Sequence, residues 1–390
     1  MSRKILHLDL DAFFCAVEEH RDPSLEGTPF AVGGKPEQRG VVASCSYAAR
    51  QYGIRSAMSM AKALNLYPQL RIVRSHMSIY QDVANQVMET AHKLTPLVER
   101  ISIDEAFLDV SSLPNSGIDV AIKLQKNIRT EFNLPCSFGV ATNKLLAKIA
   151  NDVGKADAQD PNPPNAITNV PPGEEASFLK PLPVQMLWGI GPRTAARLEI
   201  LGITTIGELA SRPEAELVNI FGKLGKDLAQ RSKGIDNRPV VTSHEAKSIS
   251  QETTFPKDIQ DQKELFKILR RLSEGVGLRL RKVGLGGSTV KIKIRWSDFT
   301  TVTRQVTLNR PTNLDQEIYQ AALNLFSSFR GDKRPVRLLG VGISNLGSMA
   351  RQLHFWGGDS EKEQRLQNAI DVLRSQYGKN VLHRGRITDK

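Results

Sequence analysis

Three carboxylates carry the first chemical signal. Asp104 and Glu105 sit side by side within ISIDEAFLDV (residues 101–110), among Ile101, Ile103, Phe107, Leu108 and Val110. Asp9 lies in LHLDLDAFF (residues 6–14). A lone buried carboxylate is costly unless something neutralises it. Adjacent residues of a strand point to opposite faces, so Asp104 and Glu105 can converge only at a bulge, bend or turn. If that turn lies beside the strand bearing Asp9, three acids meet on one sheet edge, and their repulsion forces up a pKa unless a cation relieves it. Carboxylates suit Mg²⁺, which usually takes one or two protein acids together with substrate phosphates. Two such ions about 4 Å apart can clamp the attacking and leaving oxygens of a phosphoryl transfer. An exposed hairpin tip with two solvated acids is the plainer alternative; the strand pattern flanking both stretches weighs against it.

The elements that must position these acids are readable from periodicity. KILHLDLDAF alternates, with Ile5, His7, Asp9 and Asp11 on one face and Leu6, Leu8 and Leu10 on the other, which predicts a strand. FFCAVEEHRDP has helical spacing and stops at a proline. PFAVGG, GVVASCS and LRIVRS read as strands, and YAARQYGI and MSMAKALNLYP as short helices. SIYQDVANQVMETAHKLTP is a long amphipathic helix, VERISIDEAFLDVSS a strand or hairpin, GIDVAIKLQKNIRTEFN a helix, CSFGVAT a strand and KLLAKIANDVGK a helix. This order predicts an antiparallel α+β core with a helical insertion at about 11–74. A Pro/Asp/Asn-rich loop follows at 157–183, then short helices to about 230 around GIGPRTAARL (189–198). Residues 231–248 are polar, basic and unpatterned, a linker candidate. Beyond them STVKIKIRWSDFTTVTRQVTL alternates between helical stretches, which predicts a second α/β domain, and EKEQRLQNAIDVLRSQYG is one more helix in the tail.

Composition narrows the class. The chain of 390 residues is long enough for two to four domains. No run of eighteen apolar residues suggests a membrane span, and the N-terminal stretch meets acids by residue 9, unlike a signal peptide. Cys15, Cys45 and Cys136 are few, odd in number and far apart, against a disulfide framework or zinc site and in favour of a reducing, cytoplasmic setting. The net charge is +12, and residues 231–350 alone hold 21 basic and 11 acidic residues. Such a surface suits a polyanionic partner such as nucleic acid.

LHLDLDAFFCAVEE, SYAARQYGI, SIDEAFLDV and GVATNKLLAKIANDVGK, in this order and at these spacings, resemble the Y-family of translesion DNA polymerases, in its DNA polymerase IV (DinB) branch. The resemblance covers roughly residues 1–345 and is most specific over the first 160. It implies an α+β multidomain right hand: a ferredoxin-like catalytic palm (1–10 and 75–165), small fingers (11–74), a helical thumb (166–230), the linker (231–248), an α/β little finger that binds DNA (249–345) and a tail (346–390). It implies template-directed, error-prone addition of dNMP from dNTP to a primer 3′-hydroxyl by two-metal nucleotidyl transfer, without a proofreading nuclease. The expected cofactor is Mg²⁺, two ions, with Mn²⁺ as a substitute.

The same resemblance assigns roles to residues. Asp9, Asp104 and Glu105 would be catalytic and ligate metal, with the Leu10 carbonyl, and Asp11 is not carried over as a ligand. Phe14 would be the steric gate under the sugar. Tyr47 and Arg50, on one helix face, would hold the triphosphate with Ser44 nearby and Lys155 as a second cation. Ser56 and Ala57 would lie over the nascent base pair. Gly189 and Gly191 resemble a helix-hairpin-helix turn offering backbone N–H groups to a DNA phosphate. Lys291, Lys293 and Arg295 would hold the duplex backbone without reading sequence. RQLHFW (351–356) resembles a sliding-clamp docking peptide, with Gln352, Leu353 and Phe355 as anchors. The expected partners are primer–template DNA, dNTP and a sliding clamp, the chain acting as a monomer away from membranes. A nucleotidyl cyclase could use the same sheet and paired acids but needs no basic C-terminal domain. A catalytically silent DNA-binding scaffold would not need all three acids.

Overall fold

A computed structural model describes residues 2–157, 162–243, 245–329, 331–348, 358–378 and 381. It divides into two compact units, 1–244 and 245–390.

The first unit is built on a five-stranded sheet in the order β5-β6-β1-β7-β8. Its central strand β1 is Ile5–Leu10. Helix α1 (Phe13–Arg21) follows, then β2 (Phe30–Gly33), β3 (Val42–Cys45), α2 (Tyr47–Arg50), α3 (Met60–Leu66) and β4 (Arg71–Val73). Helix α4 (Met77–His92) leads to β5 (Val98–Arg100), β6 (Glu105–Asp109), α5 (Gly117–Phe132), β7 (Cys136–Ala141), α6 (Lys144–Asp157) and β8 (Ile167–Asn169). β1 is antiparallel to both β6 and β7. Its two faces are buried for different reasons. Leu6, Leu8 and Leu10 join the apolar stripes of α4 and α5, while Ile5 belongs to a second cluster with α6 and the helices that follow. The alternation expected of KILHLDLDAF is thus a division between two cores.

The helix α6 lies close on the sheet because β7 offers it no side chain at Gly139. A Cβ there would sit 1.9 Å from the Ala147 carbonyl oxygen and 2.6 Å from the Asn151 nitrogen. Gly139→Val is therefore expected to lift α6 off the sheet and lower stability by about 3 kcal/mol or more, as overpacking does; a denaturant midpoint equal to that of the parent protein would contradict this packing account.

Two expectations are corrected here. The stretch 11–74 is not a helical insertion. It contains a three-stranded sheet, β3-β2-β4, with its own small core of Ala31, Val42, Cys45, Ala49, Ile54, Met60, Ala63 and Leu70. Its first helix packs elsewhere: Phe13, Cys15, Ala16 and Val17 join the main core with α4 and α5. Nor is 231–248 a free linker throughout. Asn143 Nδ2 donates to the Gly234 carbonyl (2.9 Å), the Leu145 N–H to the buried Asp236 carboxylate (3.1 Å), and the Val241 N–H to Glu99 (2.8 Å). Polar, unpatterned composition concealed a segment fastened by capping bonds.

Short helices α7 (Glu175–Leu179), α8 (Pro192–Ile200), α9 (Ile206–Ala210), α10 (Glu214–Phe221) and α11 (Lys223–Arg231) complete this unit. α9 opens with a capping box between Thr205 and Glu208. Leu179, Leu198, Leu209, Leu217 and Leu228 share one core with Leu145, Leu146 and Ile149 of α6 rather than forming a separate one.

The second unit is an antiparallel sheet in the order β11-β10-β12-β9, formed by β9 (Ser248–Ile259), β10 (Leu285–Trp296), β11 (Thr301–Thr312) and β12 (Val336–Ser348). Helices α12 (Gln262–Lys282) and α13 (Asp315–Ser327) cover the face carrying Val290, Ile292 and Ile294. The helix read as part of a tail, α14 (Gly358–Tyr377), docks on this unit. Arg281, itself buried, binds Asp371 (2.6 Å) and Asp315 (2.8 Å), and Gln367 donates to Asp315 (3.0 Å). The stretch 346–390 is therefore not all tail, since β12 runs on to Ser348 and α14 returns to the sheet's helices.

Candidate active site

The strand register brings the first acids together. β1 and β6 are antiparallel with Asp9 directly opposite Glu105, at the end of the ladder. Such cross-strand neighbours have Cβ atoms about 5 Å apart. Asp104 belongs to the turn before β6, and the Leu10 N–H donates to its carbonyl (3.0 Å). The bend required by two adjacent acids is thus a tight hairpin turn, closed by the Ile101 and Ser102 N–H groups on the Glu105 carbonyl. Ile101 consequently lies exposed rather than in a strand core, a correction to the expectation from its apolar neighbours.

Ser102 organises this turn, and sequence reasoning passed over it. Its hydroxyl accepts from the N–H groups of Asp104 (3.2 Å) and Glu105 (3.0 Å) and donates to the Asp104 carboxylate (2.5 Å). Arg100 ties the carbonyls of Ser102 and Ile103 from outside.

Helix α6 supplies two cations, seven residues apart and so on one face. Lys148 binds Glu105 (3.0 Å) and Asp152 (3.1 Å), and Lys155 binds Asp9 (2.5 Å) and Asp11 (2.8 Å). Asp11 is fully buried and also accepts from Ser137 Oγ (2.8 Å) and the Asn165 N–H (3.2 Å), so it serves the local framework. Lys148 was missed, although its spacing from Lys155 was legible in KLLAKIANDVGK.

Electrostatics separate the acids. Burial pushes the Asp9 carboxyl up to about 7, with Lys155 pulling the other way. Burial acts on Glu105 too, but the edge of His7 and the Lys148 ammonium outweigh it and hold Glu105 well below the usual carboxylate range. His7 is fully buried, and burial lowers it to about 4, so it is neutral. Asn151 Nδ2 donates to His7 Nδ1 (2.8 Å), which leaves the ring proton on Nε2, 3.8 Å from Glu105.

Among the described residues, no three His, Cys, Asp or Glu side chains close around a point that could hold an ion. Each candidate acid is turned onto a neighbour: Asp9 onto Lys155, Glu105 onto Lys148, Asp104 onto Ser102. In this arrangement the two lysines carry the balancing charge. The donor set nevertheless fits a hard divalent ion. Its acids belong to one sheet end, a backbone carbonyl follows Asp9 at Leu10, and Mg²⁺ favours such open sites, completed by water and phosphate.

The nucleotide-side candidates lie in the same unit. Phe14 is half-buried at the start of α1 and stacks on Tyr80 with centroids 4.4 Å apart and planes at 15°, while Phe13 is core. Ser44, at the end of β3, accepts from Cys15 Sγ (3.4 Å), which joins that strand to α1. Arg50 lies over the Tyr47 ring at 4.2 Å. Burial pushes the Tyr47 phenol up to about 12, and Asp11 adds to the shift while Arg50 opposes it. Tyr47 is thus within electrostatic reach of the acidic sheet end. Ser56 and Ala57 are exposed, and Ala57 takes a left-handed φ of 68°.

The other candidates belong to other elements. Gly189 has φ +103°, which explains glycine there; Gly191 is an extended N-cap before Pro192, leaving the first turn of α8 without a side-chain cap. In the second unit Lys291, Lys293 and Arg295 share the open sheet face, with Lys293 paired to Glu252 (2.9 Å) and Arg295 bound to Thr301 (2.7 Å). Gln352, Leu353 and Phe355 lie outside the described residues.

Residues 8–152 match the impB/mucB/samB family, 246–355 its C-terminal domain, and 172–203 the IMS family HHH motif. The chain is similar to DNA polymerase IV of Dehalococcoides mccartyi (strain CBDB1), with 41% identity over 98% of this chain and 97% of that protein. It is also similar to DNA polymerase IV of Streptococcus mutans serotype c, with 38% identity over 90% and 94%. Among solved structures it resembles a Y-family DNA polymerase chimera, Dbh-Dpo4(243-245)-Dbh, with TM-score 0.80, 28% identity and coverage of 88% and 99%. An insertion ternary complex of Dbh DNA polymerase superposes with TM-score 0.63, 27% identity and coverage of 88% and 99%.

Proposed function

The chain belongs to the impB/mucB/samB family, the Y-family DNA polymerases, and from that premise we propose how its residues divide the work of translesion synthesis. It is a DNA-directed DNA polymerase that adds dNMP from dNTP to a primer 3′-hydroxyl, pyrophosphate leaving, and it depends on a divalent metal. The observation that carries the residue assignment is Asp9 lying opposite Glu105 with Asp104 in the adjoining turn.

Asp9, Asp104 and Glu105, with the Leu10 carbonyl, would hold the metal, read here as two Mg²⁺ ions with Mn²⁺ as a substitute. When bound, such ions neutralise triphosphate charge and favour the attacking alkoxide. The protein's own part is positioning. Tyr47 and Arg50 orient the triphosphate, with Ser44 shaping that wall. Lys155, beside Asp9, would offer its charge to the phosphates. Phe14 lies beneath the sugar, and Ser56 and Ala57 leave room over the base pair. Neither of the two units is read here as a proofreading nuclease. Arg50→Ala removes a charge-assisted phosphate contact and should raise the dNTP KM on the order of tenfold or more; steady-state titration of one dNTP checks it, and an unchanged KM would remove Arg50 from the triphosphate site.

Primer–template DNA and dNTP are the substrates. The first turn of α8, after Gly189 and Gly191, and the open sheet face with Lys291, Lys293 and Arg295 would meet the duplex backbone. Each such phosphate contact adds about 0.9 to the salt slope of binding. Replacing all three basic residues with Gln should therefore flatten the slope of log K against log salt by about 2–3. A slope equal to the parent's would assign the duplex to another surface. We also place the protein in the cytoplasm as a monomer, recruited by a sliding clamp through Gln352, Leu353 and Phe355. No helix among the described residues is long and apolar enough to cross a membrane.

A further inference from the structure

Beneath Phe14 lies a buried polar chain that the catalytic reading does not use. Tyr80, from α4, is fully buried, and its ring is the platform on which Phe14 stacks at 4.4 Å and 15°. The Tyr80 hydroxyl donates to the Glu18 carboxylate at 2.5 Å. Glu18 is one helical turn beyond Phe14 on α1, so the two share a face of that helix. Its side chain is 3% exposed, an unusual place for an acid. Arg21 donates to its other oxygen at 2.8 Å. His76 Nδ1 stands 2.8 Å from the first oxygen and 2.7 Å from Arg21 Nη1, so carboxylate and guanidinium compete for one ring nitrogen.

Burying this carboxylate does not serve stability well. An apolar pair, Phe at 80 and Leu at 18, would fill similar space without desolvating a charge, and such replacements are often neutral or stabilising. A hydrogen-bonded acid does something packing cannot do: it fixes rotation and tilt of the ring whose hydroxyl it holds. An apolar ring in an apolar slot can shift its plane, whereas a phenol tethered at its far end cannot.

We propose that Glu18 is a positioning residue for sugar discrimination, fixing through Tyr80 the plane on which Phe14 rests and hence the distance between the Phe14 ring and the 2′ position of the incoming nucleotide. This rests on the reading of Phe14 as the sugar gate. Glu18 bonds to Tyr80, Arg21 and His76, none of them a proposed metal ligand, and its effect is on selectivity between dNTP and rNTP.

The test is the ratio of kcat/KM for a dNTP to that for the matching rNTP, measured on one preparation of each full-length variant. The folded fraction then cancels, and a merely structural role leaves the ratio unmoved. Tyr80→Phe keeps the ring and loses the tether; it should lower the ratio about tenfold, the size of one lost charge-assisted hydrogen bond. Glu18→Leu should do the same. Glu18→Gln keeps an acceptor oxygen and should hold the ratio within about threefold of the parent. Phe14→Ala is the control. If Phe14→Ala lowers the ratio while Tyr80→Phe and Glu18→Leu retain it, the tether is overturned and the gate stands. If Phe14→Ala itself retains the ratio, the gate reading falls and the tether with it.

Discussion

Asp104→Ala is expected to lower templated nucleotide addition on the order of a thousandfold or more, with DNA binding and stability retained. The size follows from removing a preorganised charge at a phosphoryl-transfer centre. The separation from folding follows from the local geometry. The Asp104 carboxylate accepts from Ser102 Oγ in an exposed turn, and that turn is also closed by backbone bonds to the Glu105 carbonyl. Truncating the side chain leaves those bonds in place. Asp9→Ala and Glu105→Ala should abolish activity too, but each leaves a half-buried lysine, Lys155 or Lys148, with fewer counter-charges. Their loss of rate therefore comes with some loss of stability. Single-turnover primer extension beside a DNA-binding titration separates the two effects; an Asp104→Ala protein with a tenth of parental activity would remove Asp104 from the metal site.

Phe14→Ala is expected to admit ribonucleotides. The ring is half-buried, held from below by Tyr80 at 4.4 Å, while Phe13 beside it is fully committed to the core. Only the second aromatic of the pair has a free face. Removing it opens the volume of a ring where a 2′-hydroxyl would otherwise clash, and discrimination should fall on the order of a hundredfold, the upper range for a steric pocket. Ribonucleotide incorporation with the dNTP rate measured alongside is the check, and discrimination equal to the parent's would return Phe14 to the core with Phe13. Because Tyr80 and much of α1 remain packed, the loss in stability should stay below that of a fully buried Phe→Ala, about 3–5 kcal/mol.

What could be read in advance divides along a physical line. Period-two alternation placed a strand at Ile5–Leu10 and set Asp9 on the face of His7, because side-chain direction is a local property. Two adjacent acids demanded a bend, and the hairpin turn before Glu105 is that bend. Partners distant in sequence were not legible. Lys148 reaches Glu105 across 43 residues, and Ser137 reaches Asp11 across 126. Nothing in the local pattern of either names its partner. Ile101 misled because apolar type was taken as burial, whereas the turn leaves it exposed. The segment 231–248 misled in the opposite way. Its polar groups are partners for specific N–H and amide donors, and composition alone cannot tell a fastened loop from a loose one. The helix α14 shows the same limit, since its anchor joins Arg281 to Asp371 across 90 residues.

The most direct test of the central claim is primer extension by the full-length protein on a primed DNA template with dNTPs and Mg²⁺, run with and without chelator and beside Asp104→Ala. The account predicts short products whose sequence follows the template, absent with chelator and absent in the variant. Templated extension that persists in Asp104→Ala, or no extension by a parent protein that still binds DNA, would contradict it.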